Sequence, residues 1–95
     1  MHRHTVLFNL KDASNSEDVI NKLRELEKLP TVEAMVIEKN IVPIGEHSPY
    51  EWCLIGDFAD LEARDSYEKH EIHVDIIKGT FLPNVKDFIM SDINF

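Results

Sequence analysis

The sequence predicts an α+β domain of the ferredoxin-like type, in which a four-stranded antiparallel sheet has its helices on one face. Its 95 residues suffice for one modest core and are too few for two, so we predict a single domain over residues 1–95. Two helical patterns separate four strand-like runs in the order β-α-β-β-α-β, a standard arrangement for such a sheet. Alternate residues of a strand point to opposite faces of the sheet, and here both alternating sets contain apolar residues. Both sheet faces are therefore expected to be apolar, and this affects how copies of the chain assemble.

The first strand and the first helix have clear signals. Residues 4–10 are rich in branched and aromatic side chains, as strands are. Ser14 and Glu17 have the spacing of a capping box, which predicts that a helix begins at Ser14. Pro30 ends the helix, since proline has no amide hydrogen to continue it. The apolar face of this helix consists of Val19, Ile20, Leu23 and Leu26.

Two further strands form a predicted hairpin. Residues 32–42 and 50–59 have strand composition, and the segment 43–49 between them contains the prolines and the glycine of a loop. Asp60 is placed to cap the helix that follows.

The second helical region precedes the last strand. Ala63 and Tyr67 share one helix face, and the helical pattern continues at Ile72, Ile76 and Ile77. Gly79 and Pro83 end it, and residues 85–95 predict the fourth strand.

Both faces of the predicted sheet are apolar. One face carries His4, Val6, Phe8, Trp52, Leu54, Phe58, Phe88, Met90 and Asp92, and the other carries Leu7, Cys53, Ile55, Ile89 and Ile93. Helices on one side cover one face, and large exposed apolar patches are uncommon on monomers. We therefore predict a homodimer in which two open sheet faces meet as a barrel around a two-fold axis. The alternative is that the second set consists of scattered surface residues.

Charge and composition exclude several classes of partner. The formal net charge of −8 disfavours nucleic acid and anionic membrane surfaces, and no run is long enough to span a bilayer. We expect the acidic helix residues, Glu68 among them, to be solvated. Cys53 is the single cysteine and the N-terminus lacks a secretory signal, so we expect a buried, inert thiol and a cytoplasmic location.

Two motifs resemble the stress-responsive A/B barrel (Dabb) family of the dimeric α+β barrel superfamily, and the resemblance extends over nearly the whole chain. The first motif is residues 3–12, which open on a basic residue, a His and apolar residues and close on Lys-Asp. The second motif is a strand end, a helical Tyr and a His-x-x-His-Val sequence: Asp57, Phe58, Tyr67, His70, His73 and Val74.

The resemblance implies roles for several residues. A plant member of the family is a cofactor-free polyketide cyclase, in which a Tyr and the second His of the helix motif perform the proton transfers of an aldol condensation. These positions correspond to Tyr67 and His73. The first-strand His corresponds to His4, and an Asp near the end of the last strand corresponds to Asp92.

Two positions depart from that family pattern. Trp52 stands where the cyclase has a further pocket His, and Trp offers one donor and no titratable group. Glu71 replaces the Pro of the family's His-Pro-x-His turn. The absence of this proline would allow the helix to continue through His73, and on a continuous helix Tyr67 and His73 would lie about 120° apart, so the sequence leaves open whether the two side chains converge.

The candidate chemistry is general acid–base catalysis. An imidazole that titrates near neutrality removes a proton next to a carbonyl, and a phenol donates a hydrogen bond to the enolate oxygen that forms. His73 would be the base and Tyr67 the donor. His4 or Asp92 would orient the imidazole or a ligand hydroxyl. The apolar walls would be Trp52, Leu54, Phe88 and Met90.

Histidine pairs at metal-ligand spacing are a weaker signal. His2 with His4, or His70 with His73, would bind a divalent cation if a third ligand such as Asp92 came close. No Cys or carboxylate stands at ligand spacing beside either pair, so we predict no metal site and no cofactor.

These observations lead to one main functional prediction with two alternatives. We predict a homodimer that binds a small apolar or aromatic carbonyl compound between its sheet and helices, with a stress-associated or unassigned metabolic role. The first alternative is a cofactor-independent, polyketide-cyclase-like enzyme that uses His73 and Tyr67. The second is a structural dimerisation unit, and a cavity that reaches both side chains would separate these cases.

Overall fold

The computed structural model, which describes residues 1–43 and 45–95, confirms the predicted antiparallel sheet. Its strands are β1 (His2–Leu10), β2 (Ala34–Lys39), β3 (Trp52–Phe58) and β4 (Val85–Asn94). They lie in the order β2-β3-β1-β4, and each neighbouring pair is antiparallel. The observed β2 is shorter than the predicted strand 32–42. The predicted loop 43–49 includes position 44, which lies outside the described residues.

The helices pack on one face of this sheet, as predicted. They are α1 (Ser16–Leu23), α2 (Leu61–Lys69), α3 (Glu71–Ile76) and the single turn α4 (Leu82–Asn84). A 3₁₀ turn at Ala13–Asn15 precedes α1, another at Arg24–Lys28 follows it, and a π-helical turn at Ile77–Phe81 joins α3 to α4. Within the described ranges, none of the helices is long and apolar enough to cross a membrane.

The predicted capping box at Ser14 is wrong, whereas the predicted Asp60 cap is confirmed. Asp12 Oδ1 accepts hydrogen bonds from the backbone amide of Ser14 at 2.9 Å and from its hydroxyl at 2.8 Å. The ionised carboxylate is the stronger acceptor, so Ser14 lies inside a 3₁₀ turn and α1 begins at Ser16. Asp60 Oδ1 accepts from the backbone amide of Ala63 at 2.8 Å and begins α2.

The hydrophobic core lies between the helices and one sheet face. Val6 and Phe8 of β1, Leu54 and Phe58 of β3 are buried there. The predicted apolar face of α1 is also confirmed as core: Val19, Ile20, Leu23 and Leu26 are all buried. The alternation predicted from the sequence therefore determines which side chains meet the helices.

The opposite sheet face is open, and its exposed apolar side chains lie on the two edge strands, β2 and β4. Val36 is 55% exposed, Ile89 51% and Ile93 52%, whereas Leu7 and Ile55 are half-buried. Near one end of this face, Arg3 Nε donates to Asp57 Oδ1 at 2.8 Å. Cys53 lies on the same face and is half-buried, so the prediction of a buried thiol is wrong for the single chain. In the described part of the chain no helix covers this face, because α1 to α4 pack on the other side.

The helix is interrupted between α2 and α3 at His70, so it does not continue through His73, although residue 71 is not a proline. His70 has φ −60° and ψ 136°, which is extended backbone. Its Nδ1 accepts a hydrogen bond from the backbone amide of Ile72 at 3.1 Å, and its carbonyl accepts from Val74 at 3.0 Å. The imidazole thus caps α3 and stabilises the break without the family's proline.

Replacement of Glu71 by proline is expected to stabilise the fold. Glu71 is the first residue of α3, where a proline loses no helical hydrogen bond, and His70 already has the extended backbone that precedes proline. We expect Glu71→Pro to raise the free energy of unfolding by about 0.5 kcal/mol. At fixed protein concentration this corresponds to a rise in Tm of about 2–4 °C in a thermal melt.

The matched control is Ser66→Pro in the exposed middle of α2. A proline there removes a helical hydrogen bond and should cost about 3 kcal/mol. A lower Tm for Glu71→Pro as well as for the control would contradict the break at His70.

Candidate functional site

A cavity of about 200 Å³ lies between the sheet and the helices. The cavity runs along β1 from His4 to Phe8. His4 pairs with Asp92 of β4, and Phe8 pairs with Phe88 of the same strand. Four residues of strand span about 13 Å. The end near His4 is polar, and the end near Phe8 is aromatic, where the Phe81 ring lies 5.5 Å from that of Phe8 and 5.3 Å from that of Phe88.

Tyr67 and His73 both line this cavity and contact each other. Their ring centroids are 4.5 Å apart with an angle of 59° between the planes. Tyr67 is buried and also packs on Phe58, with ring centroids 5.0 Å apart. This contact is possible because the helix is interrupted at His70. After the interruption, α3 changes direction and brings His73 beside Tyr67 in the last turn of α2.

The surroundings of these two side chains set their protonation at neutral pH. Burial lowers the pKa of His73 below its usual 6.5, although the Glu68 carboxylate opposes the shift. Burial also raises the pKa of the Tyr67 phenol well above its usual 10, and Glu68 adds to that shift. His73 is therefore neutral at pH 7 and able to accept a proton, and Tyr67 is protonated and able to donate a hydrogen bond.

His4 is oriented by Asp92. His4 lines the cavity, and its Nδ1 lies 2.7 Å from Asp92 Oδ1. The second carboxylate oxygen lies 2.8 Å from His2 Nε2, and His2 Nδ1 lies 2.9 Å from Asn94 Oδ1. Burial opposes ionisation of Asp92, but the hydrogen bonds from His4 and His2, together with electrostatic attraction to His4 and Arg64, lower its pKa. The same hydrogen bond to Asp92 raises the pKa of His2, so an ionised carboxylate is shared by two buried imidazoles.

Arg64 and Glu68 belong to the site and were not predicted from the sequence. Arg64 Nη1 donates to Glu68 Oε2 at 2.9 Å, and Arg64 Nε lies 3.1 Å from Asp92 Oδ2 without the alignment of a hydrogen bond. Glu68 lines the cavity instead of lying on a fully solvated helix face as expected. The signal in the sequence was their four-residue spacing on one helix, beside Tyr67.

The predicted apolar wall is observed for three of its four residues. Leu54, Phe88 and Met90 line the cavity, and the last two are partly exposed where β4 forms the sheet edge. Trp52 does not line it. Trp52 pairs with Lys39 of the edge strand β2, and its indole lies in a separate depression of about 260 Å³ beside Arg24. Position along β3, as well as facing direction, decides which side chains reach the cavity.

The histidine pairs considered for metal binding have other contacts. His2 and His4 both contact Asp92, and His70 caps α3. Across residues 1–43 and 45–95, no three His, Cys, Asp or Glu side chains are grouped so that they could hold a metal ion.

Comparison with known proteins agrees with the fold and with both sequence motifs. The model of the family described as the stress responsive A/B barrel domain matches residues 3–95. No curated protein sequence matches the chain significantly. A solved Dabb family protein with a ferredoxin-like fold from Mesorhizobium loti is 28% identical, with a TM-score of 0.84 over 99% of this chain and 95% of that one.

Two more distant structures share the fold. One is a dimeric ferredoxin-like protein of unknown function from Thermobifida fusca, 18% identical, with a TM-score of 0.81 over 99% of this chain and 90% of that one. The other is a hydroxynitrile lyase from Passiflora edulis, 14% identical, with a TM-score of 0.84 over 98% of this chain and 93% of that one. The match of residues 3–95 to the family model, together with the fold, establishes that the chain belongs to the stress-responsive A/B barrel (Dabb) family.

Proposed function

We propose that this protein binds a small, uncharged apolar or aromatic compound that carries a carbonyl group. The observation that supports this most directly is that Tyr67 and His73 border one largely apolar cavity with their rings 4.5 Å apart. The protonated phenol is a donor for a carbonyl oxygen, and the apolar walls bury the rest of the ligand. His4, held by Asp92, supplies a second polar contact at the same end.

The size and charge of the cavity narrow the ligand class. At about 200 Å³ it is smaller than the roughly 300–1,000 Å³ of sites for drug-sized molecules. A substituted aromatic ring suits this volume. Its aromatic end would contact Phe8, Phe81 and Phe88. The carboxylate of Glu68 at the polar end disfavours an anionic ligand, because Glu68 lines the cavity whereas its partner Arg64 does not.

Acetophenone is expected to bind more tightly than benzoate. The two probes share a phenyl ring, and only benzoate carries a charge at neutral pH. Tyr67→Phe removes the predicted donor to the carbonyl, and the loss of one hydrogen bond, about 0.5–1.5 kcal/mol, should weaken acetophenone binding by about 2- to 10-fold. Ligand titrations followed by NMR chemical shifts measure both effects.

The matched control is Tyr50→Phe, since Tyr50 lies outside the cavity lining. It should leave the affinity for acetophenone unchanged. Tighter binding of benzoate than of acetophenone, or equal affinities of the Tyr67→Phe variant and the wild type, would contradict the proposed ligand class.

A second candidate function, proton transfer at the carbon beside a carbonyl, is favoured by the pKa directions of the pair. Burial lowers the pKa of His73 and raises the pKa of Tyr67, so a neutral base and a protonated donor coexist at pH 7. In this step a C–H bond of the ligand breaks and an N–H bond forms at His73. The electron pair moves to the carbonyl oxygen, which accepts a hydrogen bond from Tyr67, and return of the proton restores the ketone.

Hydrogen–deuterium exchange tests this second function. The probe is 1-phenyl-1,3-butanedione in D₂O, with exchange of its central methylene followed by NMR above the rate in buffer. The neutral form of His73 is required, so the catalysed rate should fall as pH drops through a pKa below 6.5 and should persist at higher pH. His73→Ala should lower the catalysed rate by about 100-fold.

His47→Ala is the control, because His47 is exposed in the loop after β2. It should retain the full rate. A catalysed rate that survives both His73→Ala and Tyr67→Phe would eliminate the enzymatic candidate and leave ligand binding as the function.

We also propose that two copies assemble through the open sheet face. Support comes from the exposed apolar side chains of that face, Val36, Ile89 and Ile93, and from the Thermobifida fusca protein of the same fold, which is dimeric. Assembly would remove these side chains and the half-buried Cys53 from water. A reducing, cytoplasmic location agrees with the free thiol of Cys53, the single cysteine of the sequence. Burial raises the pKa of this thiol and disfavours its reactive form.

A lysine on the open face should prevent assembly. We expect Ile89→Lys to be monomeric and the wild type to be dimeric at micromolar concentration, as measured by size-exclusion chromatography with light scattering. Ile72→Lys is the control, because Ile72 is 47% exposed on α3, on the other side of the sheet, and Ile89 is 51% exposed. A monomeric wild type, or monomers of both variants, would refute assembly through this face.

A further inference from the structure

Glu68 supplies the one carboxylate among the cavity-lining residues that the structure describes, and the proposed ligand makes no hydrogen bond to it. It follows Tyr67 directly on α2, and its side chain is 37% exposed. An exposed glutamate on a helix is ordinarily a mobile, solvated group. Its contacts determine whether that description applies here.

Arg64 holds the Glu68 carboxylate at the cavity wall. The Arg64 side chain is only 17% exposed, and its Nη1 donates to Glu68 Oε2 at 2.9 Å. Its Nε lies 3.1 Å from Asp92 Oδ2, and Asp92 is in turn bound by His4 and His2. The guanidinium is therefore fixed between α2 and β4, so Glu68 has a defined position.

Asp92 is already occupied by other partners. Its two oxygens contact His4 at 2.7 Å and His2 at 2.8 Å, and Arg64 approaches the second oxygen as well. No such set of imidazoles surrounds Glu68, whose contact in the described structure is Arg64. Of the two carboxylates near the polar end, Glu68 therefore has fewer partners to compete with a new positive charge.

We propose that Glu68 is a positioning residue for His73, whose carboxylate provides the countercharge for the imidazolium that forms when His73 takes a proton from a ligand. The inference rests on the proposed proton-transfer function. Both side chains line the same cavity, and His73 packs against Tyr67, the residue before Glu68. A half-buried imidazole gains a charge poorly unless an opposite charge lies nearby.

The charged groups that face His73 agree with this role. Burial lowers the pKa of His73, and the Glu68 carboxylate and backbone carbonyl raise it. His4 on β1 and Arg64 on α2 act in the opposite direction. When the Glu68 charge is removed, burial, His4 and Arg64 all lower the pKa of His73, and only the hydrogen bond to the Glu68 backbone opposes them.

Glu68→Gln is the variant that tests the inference, because it keeps the shape of the side chain and removes its charge. The readout is the ring pKa of each histidine, obtained by NMR titration of the whole protein without ligand. We expect the pKa of His73 to fall by about half a unit to one unit, a modest shift since Glu68 is partly solvated. Glu68→Asp, which retains the charge, should recover part of the shift.

The matched control is Glu71→Gln. Glu71 is closer to His73 in the chain but is exposed and does not line the cavity. Its removal should leave the pKa of His73 within about 0.2 units of the wild-type value. An unchanged pKa of His73 in Glu68→Gln, or equal falls in both variants, would overturn the inference and leave Arg64 and Glu68 as an ordinary helix ion pair.

Exchange kinetics separate this inference from the proposed function. If the wild type exchanges the methylene of 1-phenyl-1,3-butanedione, Glu68→Gln should move the acid limb of the pH profile downward by the same amount as the pKa of His73. A rate that lacks this shift would contradict the role of Glu68. Absence of exchange by the wild type would refute the enzymatic function, whereas the NMR titration would still decide whether Glu68 tunes His73.

Discussion

The break between α2 and α3 at His70 is the constraint on which the candidate site depends. The extended backbone of His70 and its cap on the amide of Ile72 stop one helix and start the next. As a result His73 turns back toward Tyr67, and the two rings lie 4.5 Å apart. On an uninterrupted helix they would be separated by about 120°. The imidazole of His70 thus stabilises the break in a turn that contains no proline.

The alternation of side chains in the sheet organises the rest of the molecule. One set of strand residues faces the helices and forms both the core and the cavity, and the other set forms the open face. Antiparallel register then places His4 opposite Asp92, so that a carboxylate orients an imidazole at one end of the cavity. Phe8 lies opposite Phe88 at the aromatic end. A polar end and an aromatic end are what a small aryl carbonyl compound requires of its site.

Patterns that depend on local chemistry were predictable, and those that depend on three-dimensional context were less so. The order of strands and helices, the buried face of α1 and the Asp60 cap followed from periodicity and capping rules. The start of α1 did not, because Asp12 competes successfully for the amide of Ser14. Trp52 has the predicted facing direction but is the first residue of β3, where it lies beside Arg24 and Lys39 and away from the cavity. The fixed position of Glu68 depends on Arg64 and, through it, on Asp92 at the far end of the chain, which no local pattern reports.

The most direct test of this account is where a small aryl ketone binds. Isotope-filtered nuclear Overhauser measurements on labelled protein with unlabelled acetophenone locate the ligand by its contacts. The account predicts contacts from the methyl and phenyl protons to the ring protons of Tyr67, His73 and Phe81. Contacts confined to Trp52 and Ile20 in the outer depression, with none to Tyr67 or His73, would contradict it.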